Sequence, residues 1–150
     1  AAPGLDDAFY ASLSGTEGLA VVKGQTFALL QHSVAALVTS GTATLETALF
    51  NVPQVVCYHM RCGKIVSALR PYFLKCRWVS LVNLIADSEV VPELVAGDLS
   101  AEALRQHLES ILPGGAKRRA QLDGYALMRR RLGDTGAPQH AAGWILSSRR

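Results

Sequence analysis

The chain has 150 residues, of which 49% are hydrophobic and 18% are charged, and its mean hydropathy is +0.20. This length and composition fit one folded domain and exclude a disordered tail, a collagen-like chain and a disulfide scaffold. The apolar runs are too short for a transmembrane helix, the first residues lack a signal-peptide pattern, and the start without Met predicts a piece of a longer chain.

The net charge of +3 is unevenly distributed along the chain. Residues 1–112 carry seven Lys/Arg against ten Asp/Glu, a net charge of −3, whereas residues 113–150 carry eight against two, a net charge of +6. A basic end on a mildly acidic body raises the question of an anionic partner, either nucleic acid or a phospholipid surface. The three cysteines (Cys57, Cys62 and Cys76) have neither CxxC nor zinc-ribbon spacing, which predicts free thiols in a reducing cytosol.

Short apolar runs alternate with helical patterns in the first half of the chain. The runs predict strands, and the patterns between them predict helices, in the order strand 19–22, helix 25–33, strand 35–39, helix 42–50, strand 54–58, helix 63–75 and strand 78–81. Three further helices are predicted at 100–112, with Ser100 as the N-cap, at 116–132 and at 138–147. Because the strands are apolar throughout, we predict an α/β fold with a Rossmann-like parallel sheet, helices on both faces and a helical C-terminal end.

The most informative segment, T-S-G-T-A-T-L-E, joins the second predicted strand to the helix that follows it. Ligands bind at the carboxyl ends of parallel strands, and glycine at position 41 lets a ligand approach the backbone closely. The first N–H groups of the helix, from Gly41 and Thr42 onward, have no partner inside it and predict a phosphate or diphosphate site. Glu46, one turn further, is placed to accept hydrogen bonds from a ribose. The alternative is an ordinary helix start capped by Thr39 or Ser40.

A second segment, from Tyr58 to Trp78, combines basic, aromatic and aliphatic residues and contains no acid. This composition suits an anionic membrane surface or a lipid substrate, and it fits an ordinary amphipathic helix with a solvated basic face equally well. The candidate lipid or membrane contacts in it are Arg61, Lys64, Tyr72 and Phe73.

Asn83 is a polar residue inside an apolar run, and it is either a satisfied loop amide or an amide that faces a ligand.

The four histidines lack metal-ligand spacing, and neither a GxSxG elbow nor a carboxylate pair is evident. The basic clusters at 117–119 and 129–131 come without a nucleic-acid recognition motif, so a solvated or membrane-facing surface is the preferred interpretation. We therefore expect no metal, no cofactor and no nucleic-acid partner.

The order of several segments resembles the C-terminal half of the lipid-A-disaccharide synthase family. The matching segments are V-T-S-G-T-A-T-L-E at 38–46, P-Q-V-V-C-Y at 53–58, V-S-L-V-N-L-I-A at 79–86 and V-P-E-L at 91–94. R-L-G at 131–133 and G-A-P-Q-H-A-A at 136–142 fit the family's tail, and the resemblance covers about residues 19–146. The combination is specific, whereas the SGTxxLE segment alone would indicate only GT-B glycosyltransferases in general.

The resemblance implies a GT-B fold, in which two Rossmann-like domains enclose the active site. It implies an inverting transfer of 2,3-diacylglucosamine from its UDP carrier, UDP-2,3-diacylglucosamine, to 2,3-diacylglucosamine 1-phosphate, with release of UDP and no cofactor. The residues that it assigns to the UDP-sugar are Ser40, Gly41 and Thr42 at the diphosphate, Glu46 at the ribose, and Asn83. It also implies a peripheral location on the cytoplasmic face of the bacterial inner membrane, and it leaves a homo-oligomer open.

The resemblance makes residues 1–150 the C-terminal UDP-sugar-binding domain and places the acceptor site and the general base in an N-terminal domain. Because no base is identified here, we expect the chain alone to bind UDP weakly or not at all and to turn nothing over. Val82 and the stretch H-M-R-C-G at 59–63 depart from the commoner family pattern.

Two alternatives stay open: another UDP-N-acetylglucosamine-using GT-B enzyme, either a transferase or a 2-epimerase, and a binding module that uses its basic helices on RNA or membrane. Thr42 and the single Glu46 argue against the epimerase, which resembles a Ser-Gly-Gly turn followed by paired Glu residues.

Overall fold

A computed structural model of the chain describes residues 6–12, 16–39, 41–58, 77–133 and 136–147. Within these ranges three strands and seven α-helices occur. In chain order they are α1 (Asp7–Ala11), α2 (Thr26–His32), β1 (Ala36–Thr39), α3 (Thr42–Leu49), β2 (Gln54–Tyr58), α4 (Leu81–Ala86), β3 (Glu93–Val95), α5 (Ala101–Ile111), α6 (Arg118–Leu132) and α7 (Ala137–Ser147). A short 3₁₀ turn, Ala96–Asp98, follows β3.

The three strands form one parallel sheet in the order β1-β2-β3. Val38 of β1 lies opposite Val56 of the central strand, and Val56 lies opposite Glu93 of β3. Because the strands run in the same direction, their carboxyl ends meet along one edge of the sheet.

The core has two parts, one on each face of the sheet. On one face Val56 packs with Ala48 of α3, Val82 of α4 and Tyr125 of α6. On the other face Val55 packs with Leu94 and with residues of α5. Successive residues of a strand point to opposite faces, so the uninterrupted apolar run of β2 is what this arrangement requires. The predicted α/β fold with helices on both faces is confirmed.

Two of the predicted strands are wrong. Residues 19–22 form no regular secondary structure, and Leu81 begins a helix instead of ending a strand. Ser80 accepts a hydrogen bond from the Asn83 N–H and so caps α4, and this local bond outweighs the apolar pattern. The third strand of the sheet is Glu93–Val95, which was not predicted, and the helix predicted at 63–75 lies outside the described residues.

A buried polar cluster holds α6 against the start of β2. The Gln121 side chain accepts a hydrogen bond from the Gln54 N–H (2.7 Å) and donates one to the Gln54 carbonyl (3.0 Å). The Tyr125 hydroxyl lies 3.0 Å from the Val52 carbonyl and 3.1 Å from the Gln121 Oε1. Gln121 therefore pairs with both backbone groups of Gln54 as a neighbouring strand would, and it holds α6 against the sheet.

Burial raises the pKa of the Tyr125 hydroxyl, with consequences for stability at alkaline pH. Since the folded protein holds this proton more tightly than the unfolded chain, the stabilisation is complete below the unfolded pKa and is lost as the pH rises above it. Between about pH 10 and pH 12 we expect the free energy of unfolding to fall more steeply than in Tyr125→Phe, by up to about 1.4 kcal/mol per pH unit. Urea unfolding of both proteins across this range measures the difference, and equal slopes would contradict it.

Candidate functional site

Helices α3 and α4 pack in one core cluster on the same face of the sheet, and α3 begins at the carboxyl edge, directly after β1. Both run back along the same sheet face, and Leu45 of α3 packs on the cluster that contains Val82 of α4. This edge is where parallel α/β sheets place their ligands. Three of the predicted site residues, Gly41, Thr42 and Glu46, lie at the start of α3 or one turn into it, and Asn83 lies in the first turn of α4.

The backbone at the start of α3 adopts a positive φ that favours glycine. Gly41 is the N-cap, with φ 137° and ψ −163°, and a Cβ placed on it would meet no atom within 4 Å. The Thr44 hydroxyl donates to the Gly41 carbonyl over 2.8 Å, so the first turn is closed from within. Gly41 supplies no side-chain cap, and the first N–H groups of an α-helix have no acceptor within the helix itself. The N-cap is not Thr39, and Ser40 lies outside the described residues.

Glu46 lines an open cleft between α3 and the segment that begins α2. The cleft has a volume of about 520 Å³, and its other lining residues are those at 24–28. Phe27 of this segment is 57% exposed and stacks on Phe50, with 5.4 Å between the ring centroids. The cleft is within the size range of small-molecule sites. Residues 24–28 were not predicted to line a site. The one local signal was Lys23-Gly24, which ends the apolar run before them.

Asn83 is fully buried, and its side-chain amide forms four hydrogen bonds within the protein. Its Nδ2 donates to the Val91 carbonyl and to the Glu93 carboxylate, and its Oδ1 accepts from the N–H groups of Val90 and Val91. These bonds fill the hydrogen-bonding capacity of the amide. The donor contact implied for Asn83 stays a prediction.

Three arginines of the basic clusters bind the carbonyl ends of helices. Arg129 donates to the carbonyls of Ala48 and Leu49 at the end of α3, over 2.9 and 2.8 Å. Arg118 donates to the Ile111 carbonyl at the end of α5, and Arg131 donates to the Ala86 carbonyl at the end of α4. Guanidinium groups suit these positions because unpaired carbonyls and the negative end of the dipole meet there. A purely solvated or membrane-facing role is therefore wrong for these three residues.

We expect Arg129→Ala to lower the free energy of unfolding by about 2 kcal/mol, because it removes charged hydrogen bonds to the part-buried Ala48 carbonyl and the exposed Leu49 carbonyl. Arg130→Ala is the matched control, since Arg130 is its exposed neighbour, and we expect it to change stability by less than about 0.5 kcal/mol. Denaturant unfolding of the two variants tests the assignment, and equal effects of both would contradict it.

The structure does not describe the candidate lipid or membrane contacts. Arg61, Lys64, Tyr72 and Phe73 lie outside the described residues.

Burial raises the pKa of the Cys57 thiol, which is half-buried near the end of β2. Among the side chains that the structure describes, no group of three or more His, Cys, Asp or Glu residues could hold a metal ion. Within the same ranges, every helix is too short or too polar to span a bilayer.

Comparison with known proteins gives a consistent result. The profile of the family described as lipid-A-disaccharide synthetase matches residues 13–140. The chain is 40% identical over 126 residues to the lipid-A-disaccharide synthase of Myxococcus xanthus (strain DK1622), covering 84% of this chain and 32% of that protein. It is 37% identical over 148 residues to that of Anaeromyxobacter sp. (strain K), covering 97% and 38%, and 38% identical over 137 residues to that of Solibacter usitatus (strain Ellin6076), covering 90% and 35%.

The chain thus spans about a third of the length of these curated relatives. The family match extends over most of the chain and includes α2, α3, β1, β2 and β3, which form or support the candidate site. The chain belongs to the lipid-A-disaccharide synthase family.

Proposed function

We propose that this chain carries the nucleotide-sugar site of a glycosyltransferase of lipid A biosynthesis. The proposed reaction transfers 2,3-diacylglucosamine from UDP-2,3-diacylglucosamine to 2,3-diacylglucosamine 1-phosphate, with inversion at the anomeric carbon and release of UDP. The observation that carries the proposal is the start of α3, where a glycine N-cap leaves the helix N-terminus open beside the Glu46 cleft.

In this proposal the diphosphate of the donor binds at the N-terminus of α3. The N–H groups of Gly41 and Thr42 donate to its oxygens, and the Ser40 hydroxyl contributes beside them. Negative charge develops on the leaving UDP as the glycosidic bond breaks. Fixed N–H donors and the positive end of the helix dipole stabilise that charge without having to reorganise.

The nucleoside part of the donor occupies the cleft that Glu46 lines. The carboxylate accepts hydrogen bonds from the ribose hydroxyls, and charged acceptors make such bonds stronger than neutral ones. The exposed ring of Phe27 offers an apolar surface on the opposite wall. Asn83 supports the same site from the first turn of α4.

Inverting transfer also needs a base at the acceptor hydroxyl. We place the base and the acceptor site in an N-terminal domain, so that residues 1–150 alone bind UDP weakly or not at all and catalyse no transfer. Both proposed sugar substrates carry acyl chains, and we therefore place the reaction at the cytoplasmic surface of the inner membrane.

The test is an assay of the full-length protein with UDP-2,3-diacylglucosamine and 2,3-diacylglucosamine 1-phosphate, in which UDP and the disaccharide are both quantified. Formation of the two products in equal amounts is the expected result. Unacylated UDP-N-acetylglucosamine serves as the competing donor. Turnover of that sugar alone would contradict the proposal and would favour another UDP-sugar enzyme.

A further inference from the structure

A polar cluster of Ser80, Asn83 and Glu93 lies at the start of α4. One Glu93 oxygen accepts hydrogen bonds from the Ser80 hydroxyl (2.7 Å), the Ser80 N–H (2.9 Å) and the Asn83 amide (2.9 Å). The other oxygen accepts from the Val79 N–H over 2.9 Å. Ser80 and Asn83 are fully buried. The Glu93 carboxylate, which accepts from the Val79 and Ser80 N–H groups, holds the backbone that leads into α4.

This polar cluster makes the start of α4 different from the start of α3. Glu93 reaches from β3 and occupies the start of α4, where an anion would otherwise be favoured. At α3 the N-cap is Gly41 and supplies no side chain. The two helices share one hydrophobic core, because Leu45 of α3 packs on the hydrophobic cluster to which Val82, the neighbour of Asn83, belongs.

The hydrogen bonds of Asn83 show how it can influence a ligand that it does not touch. Both amide hydrogens and both acceptor sites of Oδ1 are used inside the protein. A bond from this amide to a ligand would require one of these buried bonds to break. The amide instead joins Glu93 to the residues that precede β3, and so it fixes α4 relative to the sheet.

We infer that Glu93 is a positioning residue of the nucleotide-donor site, and that Asn83 acts on the donor through Glu93. This inference rests on the proposed function. Glu93 and Ser80 hold the first turn of α4, and α4 in turn holds the first turn of α3, where the diphosphate binds. Loosening this support shifts the N–H groups of α3 away from the donor and leaves the acceptor site untouched.

The experiment measures UDP affinity of the full-length protein by calorimetry, at a temperature at which each variant is folded. We expect Glu93→Gln and Asn83→Ala each to raise the Kd for UDP about tenfold. Since both act through one contact, the double variant should lose little more than either single variant. Glu89→Gln, an exposed carboxylate before β3, is the matched control and should bind UDP as the unsubstituted protein does.

Steady-state kinetics separates positioning from a general loss of structure. The KM for the nucleotide donor should rise in Glu93→Gln, while the KM for the acceptor should stay unchanged. If Glu93→Gln does not fold, Ser80→Ala takes its place, since it removes the 2.7 Å bond to Glu93 together with the N-cap bond to Asn83, while the Val79 and Ser80 N–H groups still reach Glu93. We expect it to raise the Kd for UDP about threefold.

An unchanged Kd in Glu93→Gln beside a loss in Asn83→Ala would overturn the inference, because Asn83 would then act without Glu93. Additive losses in the double variant would also overturn it. If the unsubstituted full-length protein bound no UDP, the proposed function itself would fail, and the inference would fail with it.

Discussion

Replacing Gly41 by alanine is expected to weaken UDP binding by the full-length protein about 10- to 100-fold. The φ of 137° and ψ of −163° at this residue lie in a region that is essentially restricted to glycine. Space is not the obstacle, since an added Cβ would meet no atom within 4 Å. The cost lies in the backbone, which must rotate and turn the first N–H groups of α3 away from the diphosphate.

Gly143→Ala is the control for this substitution. Gly143 lies inside α7, and a Cβ there would also meet no atom within 4 Å, but its φ is not positive. We expect this variant to bind UDP as the unsubstituted protein does and to be slightly more stable, because alanine favours the helix. Calorimetric titration with UDP measures both variants. Equal affinities of Gly41→Ala and Gly143→Ala would contradict a diphosphate site at the start of α3.

Replacing Glu46 by alanine is expected to lower kcat/KM for the nucleotide donor about 100-fold. The half-buried carboxylate faces the cleft, and two charged hydrogen bonds to ribose hydroxyls account for a loss of this size, about 3 kcal/mol in total. Glu109→Ala is the matched control, since Glu109 is an exposed acid on α5, which packs on the other face of the sheet. It should retain full activity.

A second ligand makes the Glu46 prediction specific to the ribose. The unsubstituted protein should bind 2′-deoxy-UDP about tenfold more weakly than UDP, whereas Glu46→Ala should bind the two about equally. An undiminished preference for UDP in Glu46→Ala would show that another residue recognises the ribose. The role assigned to Glu46 would then be wrong.

The general architecture could be predicted because its signals are local. The uninterrupted apolar run of β2 indicates a strand covered on both faces, and Ser100 caps α5 as predicted, with its hydroxyl accepting from the Ala103 N–H. The third strand could not be predicted in the same way. Glu93–Val95 has only three residues, and its place in the sheet depends on pairing with β2 and on the bonds from Glu93 to the start of α4.

The candidate site shows the same division between local and distant signals. The glycine at the junction of strand and helix can be read from the sequence, and the structure shows that Gly41 is the N-cap of α3 in place of the expected Thr39 or Ser40. The cleft wall at 24–28 and the arginine contacts could not be read in this way. Arg129 and Ala48 are separated by 81 positions, and nothing in either local sequence indicates that a guanidinium group closes α3.

The central claim is that UDP binds at the start of α3, and amide hydrogen exchange of the full-length protein with and without UDP tests it most directly. At a UDP concentration that saturates binding, we expect slower exchange at residues 41–46 and unchanged exchange at 139–147 in α7. Unchanged exchange at 41–46 under the same conditions would contradict the claim.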